Sequence, residues 1–167
     1  MNKLTIRSAT IADAPTIYQF IRELAIYEKA EHEVVTTVAD IEENLFRAGT
    51  TTAALIALKD AQPIGFAVYF LSYSTWLGRH GIFLEDLFVM PEARGLGAGK
   101  RLLKRLAEMA VENGYGRVDW NVLTWNEPAL NFYRAIGAKP QDEWIGYRLE
   151  GESLQNFAAL KNKNEQD

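Results

Sequence analysis

The chain has no cysteine among its 167 residues. Disulfide bonds, thiolate metal ligands and a cysteine nucleophile are therefore excluded, so covalent catalysis through a thiol is impossible. An excess of positive charge is missing as well. The chain has 18 lysines and arginines and 22 acidic residues, for a formal net charge of -4. This balance lacks the positive surface expected of a nucleic-acid-binding protein, and it suits cationic partners.

Long apolar runs are missing as well. Charged or polar residues interrupt every stretch before it reaches the roughly 18 residues that a transmembrane helix needs. The N-terminus alternates polar and apolar residues from Met1 to Arg7, which predicts a strand and not a secretory signal. We therefore expect a soluble, cytoplasmic protein with a single domain over residues 1–160 and a polar tail over 161–167.

The order of hydrophobic patterns predicts a mixed α/β fold. Two capping-box spacings, Thr10 with Asp13 and Thr37 with Asp40, precede apolar residues at helical intervals and predict two helices. The later elements are expected, in chain order, as strands over 52–58, 64–73 and 82–89, a helix to about 112, a strand over 117–123, a helix over 126–137, a strand around 144–149 and a helix over 151–160. The three consecutive strands predict an antiparallel meander, and the strand, helix, strand order after them predicts a parallel crossover.

The most informative motif lies between strand 82–89 and the helix that follows it. Arg94, Gly97 and Gly99 form the pattern R-x-x-G-x-G. Missing side chains let a ligand approach the backbone, and the unpaired N–H groups of a helix's first turn then face its phosphates. The Walker pattern G-x-x-x-x-G-K-[ST] and the dinucleotide pattern G-x-G-x-x-G do not fit, because required residues are replaced. The motif indicates a pyrophosphate cradle, and the alternative is a plain glycine-rich turn.

The glycine motif and the order of elements resemble the GCN5-related N-acetyltransferases over roughly residues 4–149. Four further segments are similar to the diamine acetyltransferase branch, which includes spermidine/spermine N1-acetyltransferases and thialysine N-acetyltransferases: ELAxYE over 23–28, YxxWxG over 73–78, LEDLFVM over 84–90 and WNEPALNFY over 125–133. The resemblance implies a central, mostly antiparallel sheet with one parallel crossover and flanking helices. It also implies direct transfer of the acetyl group of acetyl-CoA to a primary amine of a small cationic acceptor, in a homodimer.

By the same resemblance, two sets of residues form the site. Acetyl-CoA would contact the strand before the cradle, the cradle itself and a later helix, at Leu87, Phe88, Val89, Arg94, Gly95, Leu96, Gly97, Ala98, Gly99, Lys100, Asn126 and Tyr133. The acceptor would contact Tyr27, Glu28, Trp76, Glu85, Asp86 and Asn121. No metal ion is expected, because His32 and His80 lack ligand spacing to any other histidine or to cysteine.

The resemblance also implies that Tyr133 protonates the departing thiolate and that Glu85 lies at the acceptor's amine, and the chemistry of both side chains agrees. A phenol with a pKa near 10 stays protonated at neutral pH and can donate its proton to a departing thiolate of similar basicity. Glu85 and Asp86 lie inside an apolar strand, where carboxylates are costly unless a cation or hydrogen bonds satisfy them. Since neighbouring strand residues face opposite ways, only one is expected to point into a given pocket. Either Glu85 or an ordered water receives the acceptor's proton, and Asp86 either joins the site or braces the adjoining loop.

The acceptor side departs from the polyamine enzymes. Ser74-Thr75 stands where they carry an acidic residue and a proline, and Ile145-Gly146-Tyr147 stands where they carry an acidic residue, glycine and tryptophan. The thialysine enzymes share the Ser-Thr-Trp sequence. We therefore expect a diamine or a lysine-like amino acid in preference to spermine. Two other functions stay open, a sensor that binds acetyl-CoA without turnover and an acetyltransferase of a protein amine.

Overall fold

The structure is a computed structural model that describes residues 3–160. The chain divides into two compact units, Met1–Asn121 and Val122–Asp167. The polar tail predicted over 161–167 lies outside the described residues. Within the described part of the chain, no helix is long and apolar enough to cross a membrane.

The first unit contains a five-stranded sheet in the order β1-β2-β3-β4-β5. The strands are β1 (Leu4–Ser8), β2 (Thr52–Lys59), β3 (Gln62–Ser74), β4 (Arg79–Val89) and β5 (Val118–Trp120). Neighbours from β1 to β4 pair antiparallel, and β5 pairs parallel to β4. The predicted meander and crossover are confirmed, although β5 is shorter than the predicted strand over 117–123.

Three helices of this unit pack on the sheet, α1 (Ala14–Tyr27), α2 (Val38–Phe46) and α3 (Ala98–Glu112). Both predicted capping boxes are present. The Asp13 carboxylate accepts from the Thr10 N–H at 2.7 Å and from Arg7 Nη1 and Nη2 at 2.7 and 2.8 Å. The Arg7 bonds are the largest cause that lowers the pKa of Asp13 to about 2. They fasten the start of α1 to the end of β1.

The core lies between the sheet and α1 with α2. Phe20 of α1 touches Phe66 of β3 and Phe88 of β4, with ring centroids 5.6 and 5.9 Å apart. Burial of one such ring stabilises the fold by about 2–3 kcal/mol. α3 packs on the opposite face, because Gly99 lies against the side chains of Leu87 and Val89, which alternate with Phe88 along β4.

A β-bulge interrupts the ladder between β3 and β4 at Glu85. Val68 pairs with Asp86 and the next residue, Tyr69, pairs with Leu84, so Glu85 is the extra residue. Residues that pair share a face of the sheet, so Asp86 lies on the α1 face and Leu84 on the α3 face. The inserted residue breaks the two-residue period between Leu84 and Asp86, so the expectation that Glu85 and Asp86 face opposite ways no longer follows from strand alternation and stays a prediction.

β5 stays beside β4 only as far as Leu84, which pairs with Trp120. Past that point, residues 86–89 of β4 have a ladder partner on the β3 side alone among the described residues. The other edge of this stretch presents backbone N–H and C=O groups that an extended ligand can bond.

The second unit contains α4 (Glu127–Ala135) and α5 (Gly151–Ala158). Asn126 caps α4 at the start of the predicted helix over 126–137, since its Oδ1 accepts from the Ala129 N–H at 3.4 Å. The strand predicted around 144–149 is wrong, because these residues form no ladder. Tryptophan, isoleucine and tyrosine fit a pleated surface, but such propensity takes effect only beside a partner strand. Among residues 3–160 no strand pairs with this segment.

Candidate active site

The glycine motif forms the turn between β4 and α3, as predicted. Gly95 and Gly97 have φ angles of +81° and +84°, and a Cβ at either residue would meet no atom within 4 Å. Glycine is therefore required by the left-handed backbone conformation and not by crowding within the protein. The space beside both residues is open to a ligand.

The start of α3 adds unpaired donors to this turn. The helical ladder begins with the bond from the Arg101 N–H to the Gly97 carbonyl at 3.0 Å. The N–H groups of Ala98, Gly99 and Lys100 precede that bond, at the helix end whose dipole favours negative charge. A Cβ on Gly99 would lie 3.6 Å from Leu87 and 3.8 Å from Val89, so the helix start adjoins the end of β4. This arrangement is that of a phosphate-binding turn beside an open strand edge.

Arg94 opens the turn and has two contacts. Its Nε donates to the Val89 carbonyl at 3.2 Å. Its guanidinium carbon lies 4.9 Å from the centre of the Tyr27 ring. Tyr27 is the last residue of α1, so this contact joins the end of that helix to the glycine turn.

Three carboxylates lie near the bulge of β4, those of Glu28, Glu85 and Asp86. Asp86 is partly buried, and its pKa is raised to about 6, first by burial and then by the charges of Glu85 and Glu28. Burial also raises the pKa of Glu28, although this residue stays accessible to solvent. Since the charge of Glu28 acts on Asp86, the end of α1 and the bulge of β4 share one acidic environment. A bound cation relieves the repulsion between such carboxylates.

Two further residues of the predicted acceptor set lie at different places. Asn121 follows β5 directly, where β4 and β5 part next to Glu85. Trp76 lies in the turn between β3 and β4 and is 88% exposed. The strand from Arg79 to Glu85 separates this turn from the carboxylates by about 20 Å, at about 3.3 Å per residue. The structure brings Glu28, Glu85 and Asp86 together, places Asn121 at the end of β5 beside Leu84 and Glu85, and places Trp76 apart. The roles of these residues in acceptor binding stay predictions.

α4 of the second unit carries the predicted proton donor, Tyr133. Its ring packs on Phe132 with centroids 5.5 Å apart, and burial raises the pKa of its phenol above the ordinary value. The phenol therefore stays protonated at neutral pH, which is the state that a proton donor requires.

Sequence reasoning missed two features of the site. The bulge at Glu85 left only an indirect signal, which is a pair of adjacent acids inside an otherwise apolar strand. The contact between Tyr27 and Arg94 left none, because the two residues are far apart in the chain and each was placed with a different ligand.

The glycine turn and the open edge of β4 have the geometry that fits a phosphate-bearing ligand, and the carboxylates fit a cationic one. The family model for the acetyltransferase (GNAT) family matches residues 16–138, across both units. The chain belongs to this family. Membership confirms the predicted fold and the predicted class of enzyme, an acetyl-CoA-dependent N-acetyltransferase.

Two relatives and one solved structure extend the match over most of the chain. The thialysine N-epsilon-acetyltransferase of Bos taurus is 36% identical over 164 residues, which cover 92% of this chain and 96% of the relative. The L-ornithine N5-acetyltransferase of Arabidopsis thaliana is 29% identical over 200 residues, which cover 93% and 88%. An integron cassette protein from the mobile metagenome of V. cholerae superposes with a TM-score of 0.79 at 27% identity, covering 94% of this chain and 98% of that one. The predicted resemblance to the thialysine and polyamine acetyltransferases is confirmed.

Proposed function

We propose that this protein acetylates a primary amine of a small acceptor that carries a second basic group, either a diamine or a lysine-like diamino acid. The observation that carries the proposal is the acidic environment of Asp86, whose pKa is raised first by burial and then by the charges of Glu85 and Glu28, so that a cation bound there is favoured. Acetyl transfer to a thialysine or ornithine amine, as the names of two relatives state, fits an acceptor of this kind.

The glycine turn fits the pyrophosphate of acetyl-CoA. Gly95 and Gly97 leave the approach to the backbone open, and the first N–H groups of α3 supply donors. The edge of β4 over 87–89 would bond the pantetheine arm. Bound acetyl-CoA supplies an activated thioester, and the residues of this chain supply orientation and proton transfer.

Glu85 and Asp86 prepare the acceptor for attack. An amine with a lysine-like pKa of about 10.4 needs roughly 4.6 kcal/mol to lose its proton at pH 7. A carboxylate with a raised pKa accepts that proton more readily than an ordinary one, and the pKa of Asp86 is about 6. Glu85 is exposed at the bulge, so it can pass the proton on to solvent. Direct attack of the neutral amine on the thioester carbonyl is the simplest mechanism, because the chain has no cysteine to carry the acetyl group as a thioester.

Tyr133 donates the proton that the departing thiolate takes up. We expect Tyr133→Phe to lower kcat by about 10²- to 10⁴-fold, the usual contribution of a positioned acid, while the Kd for acetyl-CoA stays unchanged. Thiol release measures the first quantity and isothermal titration calorimetry the second. Tyr115→Phe, which alters a tyrosine of the first unit, is the control and should retain turnover. An unchanged kcat in Tyr133→Phe would show that another group or water protonates the thiolate.

We also propose a homodimer in the cytoplasm. The homodimer rests on the resemblance to the diamine acetyltransferase branch, and the location rests on the lack of a long apolar run in the sequence. Size-exclusion chromatography with light scattering measures the molar mass and so tests the assembly, because a monomer and a dimer differ twofold in mass.

A further inference from the structure

The contact between Tyr27 and Arg94 joins the acidic side of the site to the glycine turn. The distance of 4.9 Å from the guanidinium carbon to the ring centroid lies within the range of a cation–π interaction, about 6 Å. Arg94 is also held by β4, because its Nε donates to the Val89 carbonyl at 3.2 Å. Two contacts from different elements therefore fix the plane of one guanidinium.

These contacts leave the two terminal nitrogens of Arg94 available. Among residues 3–160, neither Nη1 nor Nη2 has a hydrogen-bond acceptor. Arg94 immediately precedes Gly95, and its side chain is exposed. The result is a cation held in place beside a phosphate-binding turn with its fork of donors unused, the group that pairs with phosphate oxygens in a bidentate manner.

We propose that Tyr27 is a positioning residue for Arg94 and acts on the binding of acetyl-CoA, in addition to any contact with the acceptor. This inference rests on the proposed function, in which acetyl-CoA is the donor. A mobile arginine side chain loses conformational entropy when it binds a ligand, and this cost reduces the affinity by about two- to tenfold. Tyr27 orders Arg94 before the ligand arrives.

The aromatic face of Tyr27, and not its hydroxyl, provides this support. The ring quadrupole attracts the guanidinium, so phenylalanine should serve in place of tyrosine and an aliphatic residue should not. Because Glu28 follows Tyr27 directly, a movement of the end of α1 displaces both the carboxylate and the support of Arg94. One helix end therefore serves both substrates.

The test is the binding of coenzyme A by isothermal titration calorimetry, without acceptor and therefore without turnover. We expect Tyr27→Leu to raise the Kd about two- to tenfold and Tyr27→Phe to leave it within twofold of the wild type. In an Arg94→Gln background, Tyr27→Leu should add no further loss, because the residue that it positions is gone. Tyr115→Leu removes a tyrosine that packs on His80, and it should bind coenzyme A normally.

The proposal would be overturned if Tyr27→Leu weakened coenzyme A binding by the same factor in the wild-type and Arg94→Gln backgrounds. It would also be overturned if Tyr27→Phe weakened binding as much as Tyr27→Leu does. Thermal unfolding establishes that each variant is folded, and Tyr27→Met replaces the leucine variant if that one is not. A wild-type protein that binds no coenzyme A would contradict the proposed function itself. The two failures are therefore distinguishable.

Discussion

Asp86 places a cost on the folded protein that the proposed reaction explains. Its pKa of about 6 exceeds the ordinary value of 3.8, because burial and the charges of Glu85 and Glu28 disfavour ionisation. The folded state therefore binds a proton more tightly than the unfolded state does. Stability from this carboxyl is fully present below about pH 3.8 and is lost as pH rises through about 6. At neutral pH the carboxyl is ionised, and a bound cation would offset this cost.

Asp86→Asn should therefore stabilise the protein at pH 7.5 by up to about 3 kcal/mol, and the gain should shrink toward pH 4. Urea unfolding of both proteins at pH 4, 5.5 and 7.5 measures this difference. Glu42→Gln, at an exposed position of α2, serves as the control and should change the unfolding free energy little at any pH. A gain that is the same at pH 4 and pH 7.5 would refute the role given to this carboxyl.

Some features of the site could be predicted from neighbouring residues in the sequence, and others depend on residues that only the fold brings close. Gly95 and Gly97 were predictable, because a glycine-rich turn between a strand and a helix follows from neighbouring residues alone. The protonated state of Tyr133 also follows from the chemistry of a phenol, and burial strengthens it. The raised pKa of Asp86 was predictable only in part, since its first causes are burial in an apolar strand and the adjacent charge of Glu85, whereas the contribution of Glu28 reaches β4 only through the packing of α1.

The strand predictions were right where the local pattern is sufficient and wrong where the outcome depends on a partner strand. β2, β3 and β4 lie close to their predicted ranges, because their apolar runs are bounded by turn residues. The segment 144–149 has similar residues but forms no strand, since a ladder needs a neighbour that the sequence does not specify. The bulge at Glu85 escaped for the same reason, as register is a property of two strands.

The two ends of α3 offer a matched test of the phosphate-binding turn. Gly97 at the start and Gly114 beyond the end have φ angles of +84° and +68°, and a Cβ at either would meet no atom within 4 Å. Alanine at each should cost about 1–2 kcal/mol of stability, because both positions are left-handed. Only Gly97→Ala should also weaken acetyl-CoA binding, by at least about tenfold, since only its methyl group enters the ligand's approach. Calorimetric titration that gave both variants the same acetyl-CoA affinity would contradict the position of the cradle.

For the chain as a whole, the order of elements, the glycine motif and four further segments carried the family resemblance from which the fold and the class of enzyme were predicted. The acidic balance also agrees with a cationic acceptor, since no strongly basic surface is needed for a small amine. The identity of the acceptor was not predictable in the same way. It depends on how carboxylates from α1 and β4 are spaced, and a change of one charge distinguishes one amine from another.

The most direct test of the proposed function is thiol release from acetyl-CoA with a panel of amines. The panel contains spermidine, spermine, 1,4-diaminobutane, L-ornithine, lysine, thialysine, a lysine-containing peptide and butylamine, which lacks the second basic group. We expect kcat/KM for the diamine or the diamino acids to exceed that for butylamine by at least about tenfold, since a second charge near the carboxylates is worth about 1.4 kcal/mol or more. Turnover of the peptide alone, or tight binding of acetyl-CoA with no turnover of any amine, would contradict the proposal.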